Sequence, residues 1–383
     1  MITSILDSDL YKFSMQQAVL ELYPDAEVTY KFINRGTQRF GYKFLEALKN
    51  EIAKMATLSL SDEEYKWVKT ACPYFKPAYL EYLKNYKFNP SEVEAHIRKN
   101  GDLSIVISGK WHSTILWEVP LLALVSEVYF STIKTEWKTD RQKERAAQKG
   151  KALFDADVKF ADFGTRRRRS FDIQNSVVEQ LVKSGKSSCL GTSNMFLAMK
   201  YNVRPIGTQA HEFIQAVSAL ESLNHANRFA MERWLEVYPD DLGIVLTDTY
   251  GSEAFFSEFN SVLAKRYEGV RQDSGDPIEF GNSAIWHYEK LGIDPMTKTI
   301  IFSDSLNVEK AISINKYFAG KIKIAFGVGT HFSNSFDNSP ALNIVIKLYS
   351  VNDFLVVKLS DVEGKETGDS GAIKAVKWIY KRN

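Results

Sequence analysis

Among side chains able to act as a base or nucleophile near neutral pH, His211 has the most telling surroundings. Arg204 to Phe213 reads Arg-Pro-Ile-Gly-Thr-Gln-Ala-His-Glu-Phe. Val203 to Gly207 is a short apolar run closed by a glycine, the pattern of a buried strand. From Glu212 to Leu223, the residues Phe213, Val217, Leu220 and Leu223 fall on one helical face. His211 therefore sits at a strand-to-helix turn. Backbone N–H groups and the helix dipole there favour anions and disfavour imidazolium. A neutral imidazole in that place can serve as base or nucleophile. The plain alternative is a histidine that caps a helix or bonds a carbonyl. This stretch alone favours the plain alternative; the other strand ends reverse it.

Three further groups of residues carry chemistry. Arg166-Arg167-Arg168-Arg169 follows Asp162-Phe163-Gly164-Thr165. An arginine run can mark a nucleic-acid patch. Its place at a strand end instead suits bidentate phosphate or pyrophosphate recognition. Two of the four, Arg168 and Arg169, are expected to point to solvent. Gly327-Val328-Gly329-Thr330 offers bare backbone N–H groups, as phosphate sites do. Asp248, Asp273 and Asp304 supply carboxylates for ribose hydroxyls or hydrated Mg2+. Each alone reads as a helix cap; collected, they describe a sugar-phosphate and pyrophosphate site.

The elements that must position these groups form a rhythm. Seven short apolar runs each end in a polar cluster and lead into a helical pattern: 158–161, 187–190, 203–206, 242–246, 269–271, 299–302 and 322–326. Such spacing suits successive βα pairs. They close into a parallel barrel or wind into an open sheet, and either fold binds ligands at the C-terminal strand ends. The expected fold is an irregular seven-stranded parallel α/β barrel over 111–339. A mixed α+β domain of 1–110 is joined by 340–383. In that domain Ser61-Asp62-Glu63-Glu64 is a capping box, Asp9 a candidate helix cap, and Val28, Tyr30 and Phe32 alternate as one strand face. Trp111 to Phe130 reads as an apolar helix with Pro120 near its start, and Lys134 to Lys151 as a solvated one. Residues 343–348 and 354–359 flank a hairpin turn, and Asp369 to Tyr380 reads as an amphipathic helix.

Composition narrows the class. The chain has 383 residues, 44% of them apolar and 25% charged, with a net charge of +2. Lys134 to Arg169 holds twelve Lys/Arg against six Asp/Glu, so one region is basic. That suggests a small anionic ligand rather than nucleic acid. Cys72 and Cys189 stand far apart with no zinc spacing, which implies a reducing compartment. Glu118 and Pro120 interrupt the most apolar stretch, Ile115 to Val125, which is short of the ~20 residues a membrane helix needs. A cytoplasmic protein with no membrane span is expected.

Taken together, Asp9-Leu10-Tyr11-Lys12, Asp162-Phe163-Gly164-Thr165-Arg166, Gly207-Thr208-Gln209-Ala210-His211-Glu212, Arg271-Gln272-Asp273-Ser274-Gly275-Asp276-Pro277 and Phe326-Gly327-Val328-Gly329-Thr330 resemble the nicotinate phosphoribosyltransferase family. The related nicotinamide enzymes share much of the pattern. The resemblance implies ATP-coupled formation of nicotinate mononucleotide from nicotinate and phosphoribosyl pyrophosphate, with Mg2+. It implies that ATP transiently phosphorylates His211, with Glu212 orienting the ring. Phe163 would stack on the pyridine, and Tyr11 from the partner subunit of a homodimer would cover its other face. Arg271 would take the nicotinate carboxylate and Arg166 the pyrophosphate. Asp273 would hold ribose hydroxyls, with Asp248 and Asp304 nearby. Gly327, Gly329 and Thr330 would cradle the 5′-phosphate. Ser193 stands where nicotinamide-using relatives tend to carry an acid. A serine there can donate to a carboxylate, which favours nicotinate.

Overall fold

The computed structural model describes residues 1–138 and 141–380. Its strands in chain order are β1 (Glu27–Asn34), β2 (Val93–Ile97), β3 (Leu103–Lys110), β4 (Phe160–Asp162), β5 (Cys189–Thr192), β6 (Ile244–Leu246), β7 (Gly269–Gln272), β8 (Thr299–Phe302), β9 (Lys323–Val328), β10 (Ile344–Val351) and β11 (Phe354–Leu355). They form two sheets. One has the order β11-β10-β1-β3-β2, the other β5-β4-β9-β8-β7-β6. In the first, β1–β3, β2–β3 and β10–β11 pair antiparallel; in the second, β4–β5, β6–β7, β7–β8 and β8–β9 pair parallel. The alternation read in β1 is real: Val28, Tyr30 and Phe32 are buried. The C-terminal β10–β11 hairpin joins the N-terminal sheet, as the sequence implied.

Six of the seven expected runs become strands of the parallel sheet. The run 203–206 does not. It makes a single parallel bridge, Thr192 to Pro205, beside β5. Ile206 N donates to Thr192 O at 2.9 Å, but Pro205 has no N–H with which to extend the ladder. Gly191 shows how close this segment comes. Its φ is +142°, and a Cβ there would lie 1.9 Å from the Arg204 carbonyl oxygen. The pairings thus give a six-stranded parallel sheet, one strand fewer than the seven expected for the irregular barrel.

By contact density the chain divides into two units. The first is Met1–Gly207 with Val328–Lys347; the second is Thr208–Gly327 with Leu348–Asn383. In the first unit, Trp111–Thr132 is one 22-residue helical run, longer than the apolar stretch suggested and long enough to span a bilayer. It is a core helix instead, mostly buried inside the protein. The expected helix over Lys134 to Lys151 is displaced to Gln142–Asp155, with Thr139 and Asp140 outside the described residues. The Ser61 capping box is formed: Glu64 N donates to Ser61 Oγ at 3.2 Å and Ser61 N to Glu64 Oε2 at 2.8 Å.

Candidate active site

In the second unit, His211 is the first residue of the His211–Leu220 helix and is only 5% exposed. Its Nδ1 lies 2.9 Å from Thr249 Oγ1, and its Nε2 lies 3.2 Å from Asp273 Oδ2. Asp248 Oδ1 stands 3.6 Å from the same Nε2. These ligand atoms come from the polar clusters after β6 and β7, so two neighbouring strand ends converge on the imidazole. Burial pushes the His211 pKa down to about 4, and Lys358 adds to the depression against the pull of Asp248 and Asp273. That direction agrees with the neutral ring expected from sequence, and desolvation is its largest cause.

The surrounding carboxylates are held ionised. Burial alone would raise Asp273, but Arg271 with its Nη2 3.0 Å away, and then the His211 bond, bring it well below the usual range. Ser303 ties the pair together: it accepts from Arg271 Nε at 2.8 Å and donates to Asp273 Oδ1 at 2.9 Å. For Asp248 too, burial is outweighed by His211 and Lys358, and its pKa is lowered. Lys358 Nζ lies 3.0 Å from Asp248 Oδ2, and Ser274 donates to that same oxygen at 2.6 Å. Leu359 N bonds Thr249 O at 2.7 Å, which brings Lys358 to the cluster. Lys358 was not read from sequence as a site residue. Its signal was a lone charge inside the apolar run 354–359. Asp304 Oδ2 lies 3.5 Å from Lys365 Nζ. One ligand atom each from His211, Asp248 and Asp273 fits within 4.8 Å, and Asp248 Oδ1 is buried with no hydrogen bond. Hard carboxylate oxygens of this kind fit Mg2+.

The depressed His211 pKa has a signed consequence for stability. The unfolded chain protonates this imidazole below about 6.5, the folded chain only below about 4. The native state therefore loses stability as pH falls through that window, by roughly 3 kcal/mol at most. His211→Asn should cancel that part of the loss. Urea midpoints of both proteins at pH 7 and pH 4.5 test it, and parallel curves would refute it.

In the first unit, Phe163 N donates to Val328 O at 2.9 Å, and a Cβ on Gly329 would meet the Phe163 carbonyl at 3.0 Å. Ser333 Oγ donates to Gly164 O at 2.7 Å. The loop after β4 and the one after β9 are thus locked together, with Thr330 opening the short Thr330–Ser333 helix. Arg166 and Arg167 are half-buried. Arg168 and Arg169 do not face solvent; both are 0% exposed. Arg168 forks onto Asp7 at 2.6 and 2.8 Å and bonds Glu127 at 2.8 Å. Arg169 bonds Asn334 and Ser339, each at 2.8 Å, and stacks against Phe130 and Phe336. The run is therefore not an open basic patch.

Asp9 does sit at the cap position of the Leu10–Leu22 helix, but its side chain caps nothing. It accepts from Ser193 Oγ at 2.8 Å instead. Ser193 is thereby engaged with Asp9 rather than presenting its hydroxyl hydrogen to a carboxylate ligand. Tyr11 OH lies 3.4 Å from Glu118 Oε2. Glu118, which the sequence offered only as an interruption of an apolar stretch, also meets Lys12 and Arg166.

Comparison with known proteins agrees over the whole length. The model of the nicotinate phosphoribosyltransferase (NAPRTase) family matches residues 158–383, and that of its N-terminal domain matches residues 6–126. Nicotinate phosphoribosyltransferase of Methanosarcina mazei is 50% identical, covering 100% of this chain and 99% of the relative. That of Chromohalobacter salexigens is 43% identical, covering 99% and 98%. The crystal structure of nicotinate phosphoribosyltransferase from Porphyromonas gingivalis superposes with a TM-score of 0.97 at 39% identity, covering 100% of both chains. The enzyme from Vibrio cholerae gives 0.95 at 36% identity, covering 100% of this chain and 94% of the other. Coverage this complete, over both the N-terminal part and the βα part, leaves one assignment: the chain belongs to the nicotinate phosphoribosyltransferase family.

Proposed function

We propose that the protein makes nicotinate mononucleotide and pyrophosphate from nicotinate and 5-phosphoribosyl 1-pyrophosphate, for NAD biosynthesis, coupled to ATP through a phosphohistidine. The observation that carries the coupling is the buried, neutral His211 between Thr249 and Asp273. With Asp273 ionised, Nε2 carries the hydrogen and Nδ1 accepts from Thr249. Once the Thr249 hydroxyl rotates away, the freed Nδ1 lone pair attacks the γ-phosphorus of ATP, and the bond to the bridging oxygen breaks. ADP leaves with that electron pair. The ring becomes a phosphoimidazolium whose Nε2–H stays on Asp273, which offsets its charge. Water later hydrolyses the phosphohistidine.

The transfer itself asks little acid–base work. The pyridine nitrogen attacks C1′ while the bond from C1′ to the pyrophosphate oxygen breaks. Catalysis rests on positioning and on charge stabilisation at the ribose. Phe163 and Tyr11 flank the pyridine, Tyr11 being supplied by the partner of a homodimer. Arg271 takes the carboxylate and Arg166 the pyrophosphate. Asp273 and Asp248 hold ribose hydroxyls or Mg2+, which neutralises the departing pyrophosphate when bound. Gly327, Gly329 and Thr330 receive the 5′-phosphate. A cytoplasmic setting suits such a reaction.

Product analysis with nicotinate, nicotinamide and quinolinate, each with and without ATP, tests the reading. Nicotinate mononucleotide should dominate, at a rate raised by ATP. Preference for nicotinamide would transfer the assignment to the related enzymes.

A further inference from the structure

Glu118 lies at the start of the second part of the core helix, only 7% exposed. A carboxylate in that setting needs a counter-charge, and Lys12 supplies one. Lys12 Nζ is 2.5 Å from Glu118 Oε2, and the lysine side chain is 0% exposed. Among the cations acting on Glu118, Lys12 comes first, ahead of Arg166 and Lys347. Glu118 presents its other oxygen, Oε1, to Arg166 Nη1 at 3.7 Å. The arginine differs from Lys12 in one respect that matters: 35% of its side chain reaches solvent, so it can meet a ligand. The Tyr11 hydroxyl, 3.4 Å from Oε2, completes the group.

From this geometry we infer that Glu118 is a positioning residue: backed by Lys12, it holds the Arg166 guanidinium ready for the pyrophosphate of the substrate. The inference rests on the assignment of Arg166 to pyrophosphate made above. An arginine carries much rotamer freedom, which an anion must otherwise freeze on binding. A carboxylate at 3.7 Å restrains one end of the guanidinium, while the exposed part of the side chain stays within reach of an anion. Because Lys12 cancels the charge of Glu118, the pair imposes little net repulsion on an incoming anion. The same pair explains two sequence features together: a glutamate inside the most apolar helix, and a lysine buried in Asp9-Leu10-Tyr11-Lys12.

Removing Glu118 alone would strand the Lys12 charge and endanger folding. The test therefore uses the double variant Lys12→Met with Glu118→Gln, which keeps the net charge and fills similar volume. Inorganic pyrophosphate binding is measured by calorimetry for wild type, the double variant and Arg166→Ala, with melting temperatures as the folding control. The double variant should bind pyrophosphate about three- to tenfold more weakly than wild type, the cost of freeing one long side chain. The KM for phosphoribosyl pyrophosphate should rise in step, with the nicotinate KM moving less. Binding equal to wild type, or tighter, would overturn the role of Glu118 while leaving Arg166 in place. Wild type and Arg166→Ala binding alike would end the Arg166 assignment and this inference with it. If the double variant does not fold, the single variant Glu118→Asp, which keeps the charge but withdraws it by one methylene, must show the same weakening, and unchanged binding there overturns the inference.

Discussion

His211→Asn should lower ATP hydrolysis and phosphate incorporation at least about a thousandfold, the order lost when an essential nucleophile is removed. The argument is positional. His211 has Thr249 on one nitrogen and Asp273 on the other, so its tautomer and ring plane are fixed before ATP arrives. Asparagine approximates the volume and can still bond Thr249, but it offers no nucleophilic nitrogen. The chemistry at the ribose does not pass through the imidazole. Slow, ATP-independent formation of nicotinate mononucleotide should therefore survive, with the ATP stimulation gone. Labelled γ-phosphate on the intact protein, read beside product formation with and without ATP, separates the two effects. Label retained by the variant would remove His211 from the phosphorylation step. Loss of both activities together would mean that the imidazole also serves the transfer. Asp273→Asn is the companion: it keeps a partner at Nε2 but takes away the negative charge that meets the phosphoimidazolium. It should slow phosphorylation by about 10- to 100-fold, since hydrogen bonds to a charged group exceed neutral ones by only a few kcal/mol.

What was legible in the sequence was local or periodic. The Ser61 box declares itself within four residues, and six apolar runs ended by polar clusters became six parallel strands. The helix start at His211 was legible because a helix pattern begins there, although the run before it forms no strand. Even there the helix ends at Leu220, before Leu223. The failures share a cause: the deciding partner lies far along the chain. Pro205 turned a seventh strand into one bridge because ladder pairing, not apolarity, defines a strand. Arg168 and Arg169 looked like surface charge because Asp7 and Ser339, which hold them, are 161 and 170 residues away. Lys358 and Glu118 each stand as a lone charge in an apolar stretch. Such a charge must have a buried counter-charge. Sequence can flag it, but only the fold shows that Asp248 and Lys12 are at hand.

Arg168→Met should cost the protein about 4 kcal/mol or more, the largest stability loss we expect from one substitution. Arg168 is buried between Asp7 and Glu127, and Gln174 Oε1 accepts a further bond at 3.2 Å. Methionine fills most of the space yet leaves two carboxylates without their cation. Breaking a buried pair in this way costs roughly 3–5 kcal/mol, because the stranded charge has no solvent to turn to. At about 2–4 °C per kcal/mol, the melting temperature should fall on the order of 10 °C. Arg168→Lys keeps the charge but cannot fork onto both Asp7 oxygens, so it should recover only part of the loss. Arg169→Met is the control. Arg169 is just as buried, but it bonds an amide and a serine and stacks on aromatic rings, with burial drawing its pKa down to about 10. No carboxylate is stranded when it goes, so its loss should be nearer 1–2 kcal/mol. Equal costs at the two positions would defeat the charge argument. The functional consequence runs through the backbone. Ser126 Oγ donates to the Arg168 carbonyl at 2.7 Å, and Arg168 N bonds Thr165 O at 3.3 Å, closing the turn that carries Arg166. Any Arg168→Met protein that stays folded should therefore bind pyrophosphate more weakly although it has lost no group that touches it. Adding Asp7→Asn and Glu127→Gln to Arg168→Met should restore melting temperature toward wild type, since no buried charge is then left unpaired.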